Sequence, residues 1–128
     1  GCALLINYKH FKAVKMFSKE YFMFWEEVDL CRKFLSKKLS IIICVNATAL
    51  HKEGSSVKNS IRKFAIRTFH SEKSPLYYFK VKKFTAAMYY KMLKYLFRVI
   101  SYFLILNFKN SFKNLIKLSA IISYIFFK

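Results

Sequence analysis

The feature that most constrains this chain is its shortage of turn-forming residues. Two glycines and one proline occur in 128 residues, whereas 55% of the residues are hydrophobic and 20% are aromatic. A sandwich or barrel of many short strands needs such residues at its turns, and a disordered chain needs low hydrophobicity. We therefore expect an all-α chain that folds as a compact helical bundle.

Apolar residues recur at helical spacing in the first third of the chain. The members of this stripe are separated by four, three, four, three and four residues: Phe17, Tyr21, Phe24, Val28, Cys31 and Leu35. Together with the residues from Phe11 onward, the pattern predicts two helices with a joint near Ser18. We expect Ser18 to be the N-cap of the second helix and Glu20 to lie in its first turn.

The rest of the chain contains one clear helix and several ambiguous segments. Residues 39–45 and 61–69 fit either a strand or a helix, residues 51–60 and 70–75 are predicted loops, and residues 109–114 are a predicted connector. A late helix is predicted from a second apolar stripe: Phe84, Met88, Met92, Tyr95, Val99, Tyr102 and Leu106.

The charge of the chain is strongly positive. Lys and Arg number 24 against six Asp and Glu, the formal net charge is +18, and no acid follows Lys73. This balance favours an anionic membrane surface or a nucleic acid as partner. Lys91, Lys94 and Arg98 form a polar stripe on the late helix and are the candidate membrane contacts. An AT-rich coding sequence would produce the same composition, so an unselected reading frame is a further alternative.

The residue patterns of common enzyme sites are missing. Gly1 and Gly54 cannot form a glycine-rich phosphate loop. The three histidines are far apart and have no second His or Cys at zinc spacing, and no serine lies in a nucleophile elbow. We therefore expect no catalytic residue, no metal site, no cofactor and no enzyme activity.

Cysteine usage and hydropathy bear on location. Cys2, Cys31 and Cys44 lack the spacing of a disulfide framework, so we expect reduced thiols in a cytoplasmic protein. A helix over residues 86–108 is long enough to cross a bilayer, but its three cations are costly at mid-membrane. We therefore favour association with a membrane surface over a span. Because the chain does not begin with Met, we expect a fragment or a processed product.

Residues 17–29, FSKEYFMFWEEVD, resemble the signature of the regulator of G-protein signalling (RGS) domain. That signature reads Phe-Ser-x-Glu-Asn-aliphatic-x-Phe-Trp-x-x-x-Glu, and this chain has Phe17, Ser18, Glu20, Phe24 and Trp25 at matching offsets. Downstream, MYYKM (88–92) and FRVI (97–100) are similar to the late helix pair of the family. The resemblance runs from about residue 7 to residue 104. It implies an RGS-like domain over residues 1–104, truncated at its N-terminus, and an extra helical segment over residues 105–128.

The resemblance implies docking on the switch regions of a G-protein α subunit, which holds them near the geometry for GTP hydrolysis. The partner-binding residues that it implies are these: Ser18, Glu20, Tyr21, Asn59, Met92, Tyr95 and Arg98. Tyr21 stands where the signature has asparagine, and Lys94 and Tyr95 fall where the family has an acidic contact. Because a cation there reverses the local Coulomb interaction, we expect weak or no GTPase activation.

Three function classes stay open. The first is an RGS-like protein-binding domain, and the second is a small basic accessory protein at an organellar or cytoplasmic membrane surface. The third is nucleic-acid binding, suggested by aromatic residues interleaved with lysines in YYFKVKKF (77–84). We rank the third below the other two, because short alternations of this kind are common where a core segment meets the surface.

Overall fold

The computed structural model describes residues 3–50, 60–80 and 85–127. Regular secondary structure in these residues is helical, with five helices and no strand. The helices are α1 (Tyr8–Ala13), α2 (Glu26–Ser36), α3 (Ile61–Tyr78), α4 (Ala86–Leu104) and α5 (Phe108–Phe126). The all-α prediction is confirmed, whereas the RGS-like form of the bundle stays a prediction.

The chain divides into two compact units. The N-terminal unit is Gly1–Asn59 and contains α1 and α2, and the C-terminal unit is Ser60–Lys128 and contains α3, α4 and α5. The predicted domain of residues 1–104 and extension of residues 105–128 stay predictions. In the structure α5, which comes from that extension, packs against both α3 and α4.

The core of the C-terminal unit is formed by residues from all three of its helices. The buried members of the cluster are Leu76, Met88, Tyr95, Ile121, Tyr124 and Ile125. The rings of Tyr77 and Tyr124 meet edge to face, with their centres 5.0 Å apart. Because burying one large aliphatic side chain contributes about 1.5–3 kcal/mol, this cluster is the main source of packing energy in the unit.

The prediction of a second helix that begins at Ser18 is wrong. Residues 14–25 form turns, and α2 begins only at Glu26. Phe24 and Trp25, directly before α2, have left-handed backbone angles, with φ of 64° and 71°. A right-handed helix cannot continue through such residues, so the apolar stripe of residues 17–24 is not the face of a helix.

The predicted loop over residues 70–75 is also wrong, because α3 runs through it and contains Pro75. Pro75 has no N–H to donate to the carbonyl of Ser71, and its ring crowds that carbonyl, so it weakens the last part of the helix. Leu76 is buried in the core, and the neighbouring Tyr77 packs on Tyr124. These contacts favour the helix over the loop that the local sequence indicates.

The predicted connector over residues 109–114 is the start of α5 and is therefore wrong. Asn107 caps this helix by accepting a hydrogen bond from the N–H of Asn110 at 3.3 Å. The hydroxyl of Ser111 donates to the carbonyl of Val99 at 2.9 Å, and the amide of Asn114 donates to the carbonyl of Asn110 at 2.8 Å. The polar residues that suggested a loop thus find hydrogen-bond partners within α4 and α5.

The predicted late helix is confirmed as α4. Thr85 is its N-cap and accepts a hydrogen bond from the N–H of Met88 at 3.4 Å. Met88 and Tyr95 of the predicted stripe are buried, and Met92 packs against the core. Phe84 lies outside the described residues, and Leu106, the last member of the predicted stripe, lies beyond the end of α4 and is exposed.

Residues 39–45, which fit either a strand or a helix, adopt neither. Leu39 is half-buried, and the segment from Ser40 onward is exposed. The predicted loop over residues 51–60 falls outside the described residues except for Ser60. That residue is the N-cap of α3, since its hydroxyl oxygen accepts a hydrogen bond from the N–H of Lys63 at 3.1 Å.

Candidate functional site

Three of the predicted partner-binding residues lie in the turn before α2. The hydroxyl of Ser18 donates to Asp29 Oδ2 at 2.6 Å, and Lys33 Nζ donates to Ser18 Oγ at 2.6 Å. The N–H of Tyr21 donates to the carbonyl of Ser18 at 3.4 Å. Glu20 is exposed. These bonds hold the turn against α2 and leave the carboxylate of Glu20 at the surface.

Asp29 is the centre of this network and is only 3% exposed. Arg32 Nη2 lies 2.6 Å from its Oδ1, and Lys33 Nζ lies 3.2 Å from its Oδ2. Burial by itself raises the pKa of Asp29, but the hydrogen bonds from Ser18, Lys33 and Arg32 outweigh burial and hold that pKa below its usual value. The carboxylate is therefore stabilised in its charged form.

Three more predicted contacts lie on α4, and they differ in accessibility. Tyr95 is 6% exposed and belongs to the core. Met92 is half-buried against that core, and Arg98 is exposed. A partner at this surface would therefore reach Arg98 but not the ring of Tyr95. Asn59 lies outside the described residues, so its role stays a prediction.

Tyr95 is fixed by a buried acid, Glu72, which is 8% exposed. The hydroxyl of Tyr95 donates to Glu72 Oε2 at 2.9 Å, and Lys91 forms an ion pair with Oε1. Lys117 Nζ lies 3.9 Å from Oε2 and 5.5 Å from the centre of the Tyr95 ring. The four side chains come from α3, α4 and α5, so this cluster connects all three helices of the C-terminal unit.

The environment of Tyr95 keeps its hydroxyl protonated. Burial raises the pKa of Tyr95 well above its usual value, and the hydrogen bond and the charge of Glu72 raise it further. Lys91, one of three predicted membrane contacts, is engaged in this cluster. Lys94 and Arg98 are the members of that stripe that stay exposed.

α4 also has an outer apolar face that its inward stripe did not indicate. Its large apolar residues that are between 46% and 75% exposed are Tyr89, Tyr90, Leu93, Leu96, Phe97, Ile100, Phe103 and Leu104. With 3.6 residues per turn, most of them share one side of the helix, with Lys94 and Arg98 along one edge. The sequence contains a signal for this outer face, because one buried stripe cannot account for so many apolar residues in a helix with three charges.

The exposed charged residues that the structure describes in the C-terminal unit are all cations. Residues 60–128 contain 14 Lys and Arg residues and a single acid, Glu72. Glu72 is buried and is paired with two lysines. The described surface of this unit therefore presents cations without acids, and such a surface attracts anionic partners.

Other kinds of site have little support in residues 3–50, 60–80 and 85–127. They contain no group of three or more His, Cys, Asp or Glu side chains that could hold a metal ion. Nor does any helix there have both the length and the apolar character that crossing a membrane requires. A depression of about 150 Å³ beside α1 and α2 is smaller than usual ligand pockets, which measure roughly 300–1,000 Å³.

No family model, curated protein or solved structure matches this chain. The resemblance to the RGS signature, carried by residues 17–29 and by residues 88–100, therefore stays a prediction. The function proposed for this protein rests on the geometry and the charge of its two units.

We predict that Asp29→Asn lowers the free energy of unfolding by about 1–3 kcal/mol at neutral pH, because Arg32 and Lys33 lose their counter-charge. The lowered pKa of Asp29 means that its contribution is present above the unfolded pKa of about 3.9 and is lost as the pH falls through the folded value. Urea unfolding of both proteins over a series of pH values measures this loss.

The difference between wild type and Asp29→Asn should therefore shrink at acid pH. Glu20→Gln is the matched control, because Glu20 is exposed and its neutralisation should change stability little. A difference that is independent of pH would contradict a stabilising role for the Asp29 carboxylate.

We predict that Glu72→Leu lowers the free energy of unfolding by about 1–3 kcal/mol and Tyr95→Phe by about 1 kcal/mol. The first change removes the acceptor of Tyr95 and the counter-charge of Lys91 and Lys117, whereas the second removes one hydrogen bond. Because both changes delete that same bond, the double variant should cost less than the sum of the two. Urea unfolding followed by circular dichroism measures all three, and strict additivity would argue against the coupling.

Proposed function

We propose that this chain is a peripheral membrane-binding protein whose C-terminal unit binds anionic lipid surfaces. The observation that carries the proposal is the outer face of α4, where exposed apolar residues adjoin Lys94 and Arg98. A helix of this kind lies at a membrane interface, with its apolar side chains among the acyl chains and its cations at the headgroups.

Two energetic contributions support the proposal. Burying a Leu or Phe side chain contributes about 1.5–3 kcal/mol, and most of that is still available to Phe97 and Leu104 because both are largely exposed. Each Lys or Arg near an anionic surface adds about 1 kcal/mol. The buried position of Glu72 keeps the one acid of the unit away from the lipid phosphates.

The same surface suits lipid better than nucleic acid. Half of the eight exposed apolar residues on that face are aliphatic, namely Leu93, Leu96, Ile100 and Leu104, and aliphatic side chains cannot stack on bases as aromatic rings do. The segment that suggested base stacking, residues 77–84, ends outside the described residues. An apolar face with a cationic edge instead matches acyl chains next to phosphate groups.

We predict that the chain of 128 residues co-sediments with vesicles of phosphatidylcholine and phosphatidylserine more strongly than with phosphatidylcholine vesicles alone. Binding should weaken as salt rises from about 0.05 M to 0.5 M, because ions screen exposed charges. Part of the vesicle binding should persist at high salt, because salt does not screen the apolar contacts. Equal binding to neutral vesicles, or binding that does not respond to salt, would contradict the proposal.

A pair of double variants separates the α4 surface from net charge. Lys94→Gln with Arg98→Gln should weaken binding about 20- to 30-fold, from about 1 kcal/mol for each cation. Lys9→Gln with Lys19→Gln removes the same charge from exposed positions of the N-terminal unit and should change binding much less. An equal loss in both variants would point to net charge rather than to α4.

A second candidate function is docking on a G-protein α subunit. One observation favours it, namely the network of Ser18, Asp29 and Lys33 that holds the Phe-Ser-x-Glu turn in place beside the exposed Glu20. A fixed turn with a surface carboxylate is suited to protein recognition. The resemblance implies that any docking brings weak or no GTPase activation.

We predict that a single-turnover assay with G-protein α subunits shows GTP hydrolysis near its unassisted rate. Binding, measured by titration with a transition-state-mimic complex of the α subunit, should weaken in Glu20→Lys and stay unchanged in the exposed control Lys12→Ala. Strong acceleration of GTP hydrolysis would contradict the expectation of weak or no GTPase activation. The absence of binding would rule out docking on a G-protein α subunit altogether.

A further inference from the structure

We infer that the turn between α4 and α5 is the part of the C-terminal unit that enters the lipid layer most deeply, an inference that rests on the membrane function proposed above. This turn, residues 103–108, is here called the apolar tip. Its apolar side chains are between 57% and 75% exposed: Phe103, Leu104, Ile105, Leu106 and Phe108. So dense a run of exposed apolar residues is costly in water and suits an apolar phase.

Three consecutive backbone N–H groups of the apolar tip have acceptors within the turn or the end of α4. The N–H of Ile105 donates to the carbonyl of Ser101 at 3.3 Å, and the N–H of Leu106 donates to the carbonyl of Phe103 at 3.0 Å. The N–H of Asn107 donates to the carbonyl of Tyr102 at 2.8 Å. A lipid layer excludes backbone whose polar groups lack partners, so these three bonds lower the cost of inserting the turn.

Leu106 holds a left-handed backbone conformation, with φ of 57°. This region favours glycine, because a side chain there is strained against the following carbonyl. A leucine at this position keeps a large apolar side chain exposed at the end of the turn at some cost to folding. Phe103 and Phe108 pack edge to face across the same turn, with ring centres 5.7 Å apart, and give it a fixed shape.

Cations lie behind the apolar tip on both of its helices. Arg98 on α4 and Lys113 on α5 are exposed, and Lys109, which directly follows Phe108, is exposed as well. At 1.5 Å per residue, Arg98 lies about 9 Å from Leu104 along α4, and Lys113 lies about 7.5 Å from Phe108 along α5. These distances match the depth of about 5–10 Å to which interfacial helices bury their apolar side. An inclined α4, with its C-terminal end deepest, would therefore place Arg98 and Lys113 at the phosphates, whereas Lys109 would reach them through its long side chain.

Tryptophan placement tests the depth of the apolar tip. Leu106→Trp and Tyr89→Trp place a reporter at the tip and near the start of α4, and the native Trp25 is common to both variants. We expect lipids brominated on their acyl chains to quench the tryptophan fluorescence added by Leu106→Trp more strongly than the tryptophan fluorescence added by Tyr89→Trp. Equal quenching of the two reporters would overturn the inference.

Leu106→Gly separates membrane binding from folding. Glycine relieves the left-handed strain, so we expect an unchanged or raised melting temperature, together with vesicle binding that is about tenfold weaker because a buried leucine is lost. Leu115→Ala is the control, because Leu115 is an exposed apolar residue of α5 away from the tip. It should bind vesicles as the wild type does.

The outcomes distinguish the two proposals. Failure of the wild-type chain to bind anionic vesicles would remove both the membrane function and the apolar tip. Normal binding by Leu106→Gly, beside a wild type that binds, would overturn the tip alone and leave the outer face of α4 as the contact surface.

Discussion

The C-terminal unit depends on the pairing of one buried carboxylate, that of Glu72, with cations and a hydroxyl group. A carboxylate in the interior costs free energy unless it is paired and hydrogen-bonded, and Glu72 has three such partners, Tyr95, Lys91 and Lys117. Two of these come from α4 and one from α5, so the acid is satisfied only when both helices are correctly placed against α3. The small apolar core around Leu76 and Ile121 forms in that same arrangement. Polar pairing sets the alignment of the helices, and apolar burial supplies most of the energy.

The same pairing shapes the surface. With its only acid inside, the unit has cations outside and nothing of opposite sign to pair with them. The core accepts one stripe of α4, so apolar residues such as Leu93 and Phe97 stay outside beside Lys94 and Arg98. Such a surface is costly in water and attractive to an anionic interface with an apolar interior. Folding and the proposed membrane binding would thus both follow from one distribution of charge and apolar area.

The helices were predictable where local pattern and tertiary packing agree. α4 has an apolar stripe, and the structure buries Met88 and Tyr95 of that stripe and packs Met92 against the core. The last part of α3 was mispredicted, because residues 70–75 contain local loop signals while Glu72 and Leu76 are needed in the core. Ser18 was mispredicted as a helix cap because its partner, Asp29, is eleven residues away, and no local rule reveals such a bond. The apolar tip depends on a left-handed Leu106, which sequence patterns do not predict.

The structure of the N-terminal unit changes what the RGS resemblance can mean for binding. The serine of the motif is engaged by Asp29 and Lys33, so it positions the turn rather than offering its hydroxyl to a partner. Trp25 has a left-handed backbone immediately before α2 and so marks the start of that helix. Glu20 is the residue of the motif that keeps an exposed charged group. If this turn recognises another protein, its specificity must come from that carboxylate and from the rigidity that the buried Asp29 network gives to the turn.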